Sequence, residues 1–313
     1  MLRRRTHYRV SVIVPVFEPR FLDEALASIA AQRRPADEII VVDDGSRQRA
    51  KVRRIVAAHA GVTGIEQDNG GAGAARNTGI RASSGELIAF LDADDAWLPA
   101  LLSEQIGLLD RTGADLVYAD AWLQDGSGHP RGRFMEKAPS SGKVTVEALL
   151  SQTCTVLTSS VVARRTALVA AGLFDPQIRR GQDFDLWLRL ASRGASIQYA
   201  RRPLLKRRVH ASNLSGTPSQ ELERALAILD KAAASLDLSE RERHAAVSRR
   251  GRLHTDWMRE RGKEHLIRRE YALAHQCLSY VQSSIPSWKL RATLLGLRVA
   301  PQLVRAVVHS RWP

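Results

Sequence analysis

Three carboxylates lie close together in residues 86–95. Asp92, Asp94 and Asp95 follow five consecutive apolar residues, 87–91. Clustered carboxylates repel one another unless a cation neutralises them, and hard oxygen ligands suit Mg²⁺ or Mn²⁺. Two aspartates separated by one residue can bind a single metal ion together with the phosphates that it holds. The alternative is that Asp95 caps a helix starting in the next residues, but this would explain only one of the three acids.

Two further loops carry groups that could bind a nucleotide. Asp43 and Asp44 precede a Gly-Ser pair, where either carboxylate could cap a helix or accept hydrogen bonds from a nucleobase. Residues 69–77 (NGGAGAARN) resemble a phosphate loop, in which backbone amides meet an anion at a helix start. A tight turn would also explain the glycines, and their spacing is not that of a dinucleotide-binding fingerprint. Arg76, one turn into the helix, favours a phosphate or diphosphate contact.

The elements that position these groups alternate between strand and helix. Apolar runs predict strands at residues 10–16, 62–67, 87–91, 116–122, 156–163 and 196–200, and a further strand in residues 38–46 that runs into a turn. Helical spacing predicts helices at residues 20–32, 51–60, 100–109 and 182–192, and the loop at residues 69–73 opens a helix through residues 76 and 80. This alternation predicts a mostly parallel α/β sheet with helices on its faces, whose carboxyl edge binds ligands.

Two less regular segments follow. Residues 124–141 are polar and rich in Gly, Pro and Ser, which indicates a long loop of the kind that shapes binding sites. Residues 211–219 read as a linker, and the pattern is helical from residue 220. Ser239 and Glu242 form a capping-box signature. We therefore expect a domain at residues 1–215 and a helical region at residues 216–313.

Composition is that of a soluble globular protein, with 44% apolar and 26% charged residues. Cys154 and Cys277 are far apart and lack metal-ligand spacing, which favours free thiols in a reducing compartment. No apolar run reaches the length of a membrane span. A short apolar segment after Arg3-Arg4-Arg5 is better explained as a first strand than as a signal peptide. We expect a cytoplasmic protein.

Positive charge is concentrated in the C-terminal third of the chain. The net charge is +14; residues 201–313 carry 22 Lys/Arg against 10 Asp/Glu, and residues 1–200 carry 25 against 23. Arg291, Arg298 and Arg305 recur every seven residues, each preceded by an apolar residue. This pattern suits a helix lying on an anionic membrane at the inner face, or equally a solvated helix packed on the first domain.

Five motifs, taken in order, resemble the glycosyltransferase family 2 enzymes with the GT-A fold. They are Ser11-Val-Ile-Val-Pro-Val-Phe17, Val42-Asp-Asp-Gly-Ser46, residues 69–79, Phe90-Leu-Asp-Ala-Asp-Asp95 and Gln182-Asp-Phe-Asp-Leu-Trp-Leu-Arg-Leu190. The resemblance covers about residues 9–215. It implies a GT-A-type, Rossmann-like three-layer domain with a mostly parallel mixed sheet, followed by a C-terminal all-helical region.

The resemblance also implies roles for individual residues. Those expected to bind the nucleotide sugar are Pro15, Phe17, Glu18, Asp44, Asn69, Arg76, Asp92 and Ala93. Those expected to hold Mn²⁺ or Mg²⁺ are Asp92 and Asp94 of the Asp-x-Asp motif and His210. A histidine is an acceptable Mn²⁺ ligand, although a lone histidine is usually only a surface residue.

Asp183 would be the catalytic base, with Gln182 and Trp187 on the acceptor side. The positive end of a helix dipole keeps a carboxylate ionised and able to accept a proton. A plain helix cap is the alternative for Asp183. Family members usually have Glu-Asp where this chain has Gln182-Asp183, a difference that bears on the acceptor more than on the reaction.

The expected activity is therefore metal-dependent, inverting transfer of a hexosyl group from a nucleotide-diphosphate sugar, expected to be UDP-linked, to an acceptor hydroxyl. A saccharide or lipid-linked acceptor in surface polysaccharide or glycolipid assembly would suit the basic tail. Two alternatives remain: a sugar-phosphate nucleotidyltransferase, or a non-catalytic relative that binds nucleotide sugars. Nucleic-acid binding is not expected, because aromatic content is only 5% and no reading module is recognisable.

Overall fold

The computed structural model describes residues 8–209 and 217–304. Its strands are β1 (Val10–Val16), β2 (Glu38–Asp44), β3 (Val62–Gln67), β4 (Leu87–Phe90), β5 (Ala96–Trp97), β6 (Leu116–Asp125), β7 (Pro130–Arg133), β8 (Val162–Arg164) and β9 (Ile197–Val209). Its helices are α1 (Leu22–Ala30), α2 (Arg49–Ala58), α3 (Ala72–Ala82), α4 (Leu101–Thr112), α5 (Phe134–Lys137), α6 (Val146–Leu150), α7 (Arg165–Ala170), α8 (Gln182–Ser192), α9 (Pro218–Ser235), α10 (Glu240–Ile267), α11 (Tyr271–Ser284) and α12 (Trp288–Val299).

The strands form one mixed sheet in the order β3-β2-β1-β4-β8-β6-β9-β5, with β7 paired to β6. β1, β2, β3 and β4 run parallel, so their carboxyl ends meet at one edge. Every residue of β1 and β4 is buried, which explains why both strands are apolar apart from Ser11. The predicted parallel α/β sheet is confirmed in this half of the structure.

The other half of the sheet departs from the predicted bounds. β8 runs antiparallel to β4, and only residues 162 and 163 of the predicted strand at 156–163 belong to it. β9 is far longer than predicted and pairs in parallel with β6 as far as Asp125 and Val209. The arginine-rich sequence of β9 lacks the apolar run that predicts a strand, because the strand is stabilised by its pairing with β6. The predicted loop at 124–141 contains β7 and α5.

Helix α3 approaches the sheet unusually closely. A Cβ atom added at Gly79 would lie 2.4 Å from Cγ2 of Ile13 on β1, so only glycine permits this spacing. Apolar residues of β1, β4, β6, α1 and α4 share one buried cluster on the sheet. The close approach brings the start of α3 to the carboxyl edge, where the predicted site residues lie.

The described chain divides into two compact units: residues up to 209 together with 236–242, and residues 217–235 together with 243–304. In the second unit, Leu266, Ala274, Leu278 and Leu297 form a small core. The predicted capping box is confirmed, since Ser239 N–H donates to Glu242 at 2.8 Å and Glu242 N–H to Ser239 Oγ at 3.4 Å. Every helix in the described ranges falls short of what crossing a bilayer requires in length and apolar character.

Candidate active site

A cavity of about 730 Å³ opens at the carboxyl edge of the parallel strands. The residues that line it include most of those predicted to bind the nucleotide sugar or the metal: Pro15, Phe17, Glu18, Asp44, Arg76, Asp92, Ala93 and Asp94. They come from the ends of β1, β2 and β4 and from α3. The fold thus brings together side chains from four separate motifs, as expected for ligand sites in open α/β sheets.

The acidic motif forms a turn rather than a helix start. Asp95 N–H donates to the carbonyl of Asp92 at 3.0 Å, and β5 follows directly. Capping by Asp95 is therefore wrong, because α4 starts only at Leu101. Burial, together with the charges of Asp94 and Asp92, raises the pKa of Asp95 to about 8. Three carboxylates in one turn thus oppose one another's ionisation.

Arg208 holds this turn from the end of β9. Its backbone N–H donates to Asp95 Oδ1 at 2.9 Å, and its Nη1 donates to the carbonyl of Asp94 at 2.9 Å. Its Nη2 bonds to Glu24 at 2.7 Å, and its guanidinium stacks 3.8 Å from the centre of the Phe21 ring. Arg208 is therefore a structural clamp, whereas its neighbour Arg207 lines the cavity. Residue types alone did not distinguish these two arginines.

Arg76 is buried and directed at the acids, and its side chain is only 4% exposed. Its Nη2 donates to Asp92 Oδ1 at 2.5 Å, and its guanidinium lies 5.4 Å from the centre of the Phe174 ring. Among the described residues, its Nε and Nη1 have no hydrogen-bond partner. Burial opposes ionisation of Asp92, but the charge and hydrogen bond of Arg76 hold the pKa of that carboxyl below its ordinary value.

The carboxylate of Asp44 is hydrogen-bonded to the glycine loop, a role that the sequence did not reveal. Its carboxylate accepts the N–H groups of Gly70 and Gly71 at 2.8 Å each, besides a 2.8 Å bond from the side-chain amide of Gln67. Asn69 donates to the backbone carbonyl of Asp44 at 3.0 Å and accepts from Arg179 Nη1 at 3.0 Å, and it is not among the residues that line the cavity. Asp44 thus anchors the glycine loop that starts α3.

Asp183 lies in the first turn of α8, as predicted, but it does not cap the helix. Gly181, in a left-handed conformation at φ +73°, occupies the capping position. One oxygen of Asp183 accepts from Thr158 Oγ1 at 2.9 Å, and the other accepts from the N–H of Phe184 at 2.8 Å. Asp183 is half-buried. A carboxylate in this position keeps lone pairs for a further hydrogen bond.

The two predicted acceptor-side residues are both buried. Gln182 is 7% exposed, and its aliphatic part packs against Gly73 of α3. Trp187 is 2% exposed and meets Phe174 edge to face at 6.2 Å between ring centres. Trp187 lies on the face of α8 that packs into the core, and its contact with the acceptor stays a prediction.

The predicted metal ligand His210 lies outside the described residues. Within residues 8–209 and 217–304, no three His, Cys, Asp or Glu side chains converge into a ready-made metal cage. Of the three predicted metal ligands, Asp92 and Asp94 lie within the described residues, and both line the cavity. Mg²⁺ is usually bound by one or two carboxylates together with substrate phosphates, and these two residues fit that pattern.

Comparison with known sequences now decides the class of protein. Residues 11–168 match the sequence profile of Glycosyl transferase family 2. The chain belongs to this family. It is 30% identical over 225 residues to an uncharacterized glycosyltransferase of Rickettsia prowazekii, covering 68% of each chain. A putative teichuronic acid biosynthesis glycosyltransferase of Bacillus subtilis, TuaG, is 29% identical over 191 residues, covering 59% of this chain and 73% of TuaG.

Solved structures show the same GT-A fold. S. aureus TarS (residues 1–349) in complex with UDP-GlcNAc superposes with a TM-score of 0.60 at 20% identity, covering 96% of this chain and 91% of TarS. The mannosyltransferase PcManGT from Pyrobaculum calidifontis, in complex with GDP-Man and Mn²⁺, gives 0.62 at 18% identity, covering 98% and 86%. This family 2 protein is therefore a glycosyltransferase rather than a nucleotidyltransferase.

Proposed function

We propose that this glycosyltransferase is inverting and metal-dependent, and that it moves a sugar from a nucleoside-diphosphate carrier, UDP-linked in the first instance, to an acceptor hydroxyl. The donor would occupy the cavity at the carboxyl edge. The neighbours TarS and PcManGT were solved with UDP-GlcNAc and GDP-Man, so their ligands support the class of donor. The identity of the sugar follows from neither.

The observation that carries the proposal is the state of Arg76. A buried guanidinium with N–H groups that lack partners is costly unless a ligand supplies acceptors. Among the described residues, two such nitrogen atoms, Nε and Nη1, remain on Arg76, which lines the cavity beside Asp92. Phosphate oxygens are strong acceptors for arginine, whose guanidinium can donate to two of them at once. Arg207, a second cation in the lining, adds positive charge for the same diphosphate.

The acids fit a hard divalent cation. Asp92 and Asp94 both line the cavity, and Asp92, with a side chain 35% exposed, is open enough to bind an ion. Mutual repulsion within the acidic turn is relieved when a divalent cation binds. When bound, Mn²⁺ or Mg²⁺ stabilises the charge on the departing nucleoside diphosphate. His210 is proposed as a further protein ligand, as the family resemblance implies.

Asp183 is proposed as the base. It would take the proton of the acceptor hydroxyl while that oxygen bonds to the anomeric carbon. The bond from the anomeric carbon to the diphosphate oxygen breaks, and its electron pair leaves with the diphosphate. Attack from the opposite face inverts the anomeric centre. Asp183 is suited to this role because it is ionisable, half-exposed and held at the positive end of α8.

A two-part experiment tests the site. Thermal shift measured with UDP-GlcNAc, GDP-mannose and their nucleoside diphosphates, each with and without Mn²⁺, identifies a donor. Release of nucleoside diphosphate from that donor, with water as the acceptor, then measures turnover. Asp183→Asn should lower turnover at least 100-fold while the ligand-induced thermal shift persists. Unchanged turnover would refute the base, and the absence of any nucleotide-induced shift would refute the donor site.

We also propose that residues 216–313 bind an anionic membrane surface and bring the enzyme to a lipid-linked saccharide acceptor in surface polysaccharide or glycolipid assembly. The predicted apolar positions Leu290 and Leu297 of α12 pack inside the second unit. A different stripe is exposed instead: Trp288 at 76%, Leu295 at 63% and Val299 at 86%. These residues recur at helical spacing, as in helices that lie in a membrane interface.

Charge supports a lipid surface as the partner. No acidic residue follows Glu270, whereas Lys289, Arg291 and Arg298 accompany the exposed stripe. Basic residues near an anionic bilayer contribute about 1 kcal/mol each. An apolar stripe flanked by arginine and lysine therefore matches an anionic bilayer, in which negative headgroups cover apolar acyl chains.

Vesicle co-sedimentation tests this surface. The double variant Leu295→Glu/Val299→Glu should lose binding to phosphatidylglycerol vesicles, and the wild type should not bind neutral phosphatidylcholine vesicles. The matched control Val169→Glu/Val247→Glu alters two residues that are also exposed, at 56% and 69%, and should bind as the wild type does. Equal binding by both double variants would exclude α12 as the membrane contact.

A further inference from the structure

The short 3₁₀ turn Thr158–Ser160 joins the two halves of the site. Its three side chains are between 0% and 4% exposed. Buried hydroxyls are unfavourable unless they are hydrogen-bonded, and each of the three has partners. Thr158 Oγ1 donates to Asp183 at 2.9 Å, and Ser159 Oγ accepts the backbone N–H of Asp92 at 3.3 Å. One turn therefore contacts both the proposed base and the acidic motif.

The turn is itself fixed from behind. Ser160 Oγ accepts the N–H of Ala119 at 2.9 Å and donates to the carbonyl of the same residue at 3.1 Å. The carbonyl of Ser159 accepts Trp97 Nε1 at 2.7 Å, and that of Ser160 accepts Gln105 Nε2 at 2.8 Å. These partners belong to β6, β5 and α4, which are parts of the sheet and its packed helix. The turn cannot shift without disturbing the core.

Thr158 determines where the carboxylate of Asp183 points. Among the described residues, it is the side chain that donates to Asp183, the other bond coming from the backbone N–H of Phe184. Threonine has a branched Cβ and a restricted χ1, so its hydroxyl is held in direction as well as in position. Two accepted hydrogen bonds leave lone pairs on both carboxylate oxygens for the acceptor hydroxyl.

We propose that Thr158 is a positioning residue for the base, and that the Thr158–Ser160 turn sets the separation between Asp183 and the acidic motif. This inference rests on the proposed role of Asp183. The hydroxyl of Thr158 donates to the carboxylate of Asp183 and holds it toward the acceptor. The neighbouring Ser159 supports the donor side through the backbone of Asp92.

The test compares Thr158→Val, which removes the hydroxyl at nearly constant volume, with Thr158→Ser, which keeps it. Turnover is measured as release of nucleoside diphosphate from the donor found by thermal shift, with water as acceptor. Thr158→Val should lower kcat about 10- to 100-fold, as expected when a general base is misplaced.

The rest of the pattern distinguishes positioning from general damage. KM for the donor should stay within about twofold, and Thr158→Ser should recover the kcat of the wild type. Thr255→Val is the matched control, because Thr255 is 5% exposed and, among the described residues, its hydroxyl bonds only to a carbonyl of its own helix. It should leave kcat and KM unchanged. Thr158→Ala replaces the valine variant if the latter does not fold.

The outcomes separate the two proposals. If Asp183→Asn keeps the turnover of the wild type, the proposed base is wrong and the role of Thr158 falls with it. If Asp183→Asn is inactive while Thr158→Val keeps the kcat of the wild type, only the positioning role is overturned. A fall in kcat for Thr158→Val that Thr158→Ser does not recover, or that comes with a more than twofold change in KM for the donor, would likewise overturn it.

Discussion

Replacing Gly73 by alanine should damage catalysis more than stability. Gly73 lies in the first turn of α3, where α3 packs against the start of α8. A Cβ atom added there would lie 2.8 Å from Cγ and 3.4 Å from Cβ of Gln182, and 3.3 Å from Cβ of Phe174. Carbon atoms pack favourably at about 3.5–4.0 Å, so the contact with Gln182 Cγ is roughly 1 Å too close. Gln182 directly precedes Asp183, and the start of α8 has to yield.

Two opposing terms decide the stability. Alanine in place of glycine favours a helix by about 0.5–1 kcal/mol, whereas overpacking a buried contact costs about 1–3 kcal/mol. The net effect should be a destabilisation of at most about 2.5 kcal/mol. Displacing a catalytic group by about 1 Å can cost about 100-fold in rate. We therefore expect kcat for Gly73→Ala to fall about 10- to 100-fold in a protein that remains folded.

A double-mutant cycle makes this prediction specific. Gln182→Ala removes the Cγ atom that clashes, so Gly73→Ala/Gln182→Ala should recover most of the kcat of Gln182→Ala alone. Gly251→Ala is the control. Gly251 lies in α10, and among the described residues no atom beyond its chain neighbours and its own helix backbone would lie within 4 Å of an added Cβ. It should raise the melting temperature slightly and leave kcat unchanged. Additive losses in the double variant, or a wild-type kcat for Gly73→Ala, would refute the argument.

Two further predictions concern charge. Arg76→Met should weaken binding of the nucleoside diphosphate identified by thermal shift by about 10- to 100-fold in titration calorimetry, since a charge-assisted hydrogen bond contributes about 1.5–3 kcal/mol; an unchanged Kd would exclude Arg76 as a diphosphate ligand. Burial opposes ionisation of Glu38, but hydrogen bonds from Ser11 and Ser84 outweigh it and hold the pKa of Glu38 below its ordinary value. The ionised form of Glu38 therefore stabilises the fold at neutral pH. This contribution is lost as the pH falls through the pKa that Glu38 has in the folded protein. Glu38→Gln should accordingly lower the melting temperature at pH 7 and have little effect at pH 3, and an equal loss at both would contradict this account.

The sequence alone predicted the parallel half of the sheet and most of the cavity lining. Short apolar runs ending in polar turns mark buried parallel strands, and such strands end at one edge because their crossovers return the chain in the same direction. Residues from the ends of β1, β2 and β4 had to meet there. The identity of Asp92, Asp94 and Arg76 as candidates for one site thus followed from local pattern and chain order.

The same reasoning failed where neighbours distant in sequence decide the environment. Helical spacing located α8, but it could not show that Trp187 packs against Phe174 in the core. Two adjacent arginines of β9 looked equivalent, although Arg208 is buried against the acidic turn and Arg207 lines the cavity. The predicted length of the charge-rich strand β9 was too short, because its pairing with β6, and not an alternation of apolar residues, determines where it ends.

By itself, the sequence determined the strands and helices of the parallel half of the sheet, their order, and the residue types that arrive at the sheet edge, because these depend on contacts a few residues apart. Only the tertiary structure decided which groups bond across the site. Thr158 reaches Asp183 over 25 positions, and Arg208 reaches the carbonyl of Asp94 over 114. Such contacts depend on how packed layers align in space, and no local periodicity records that alignment.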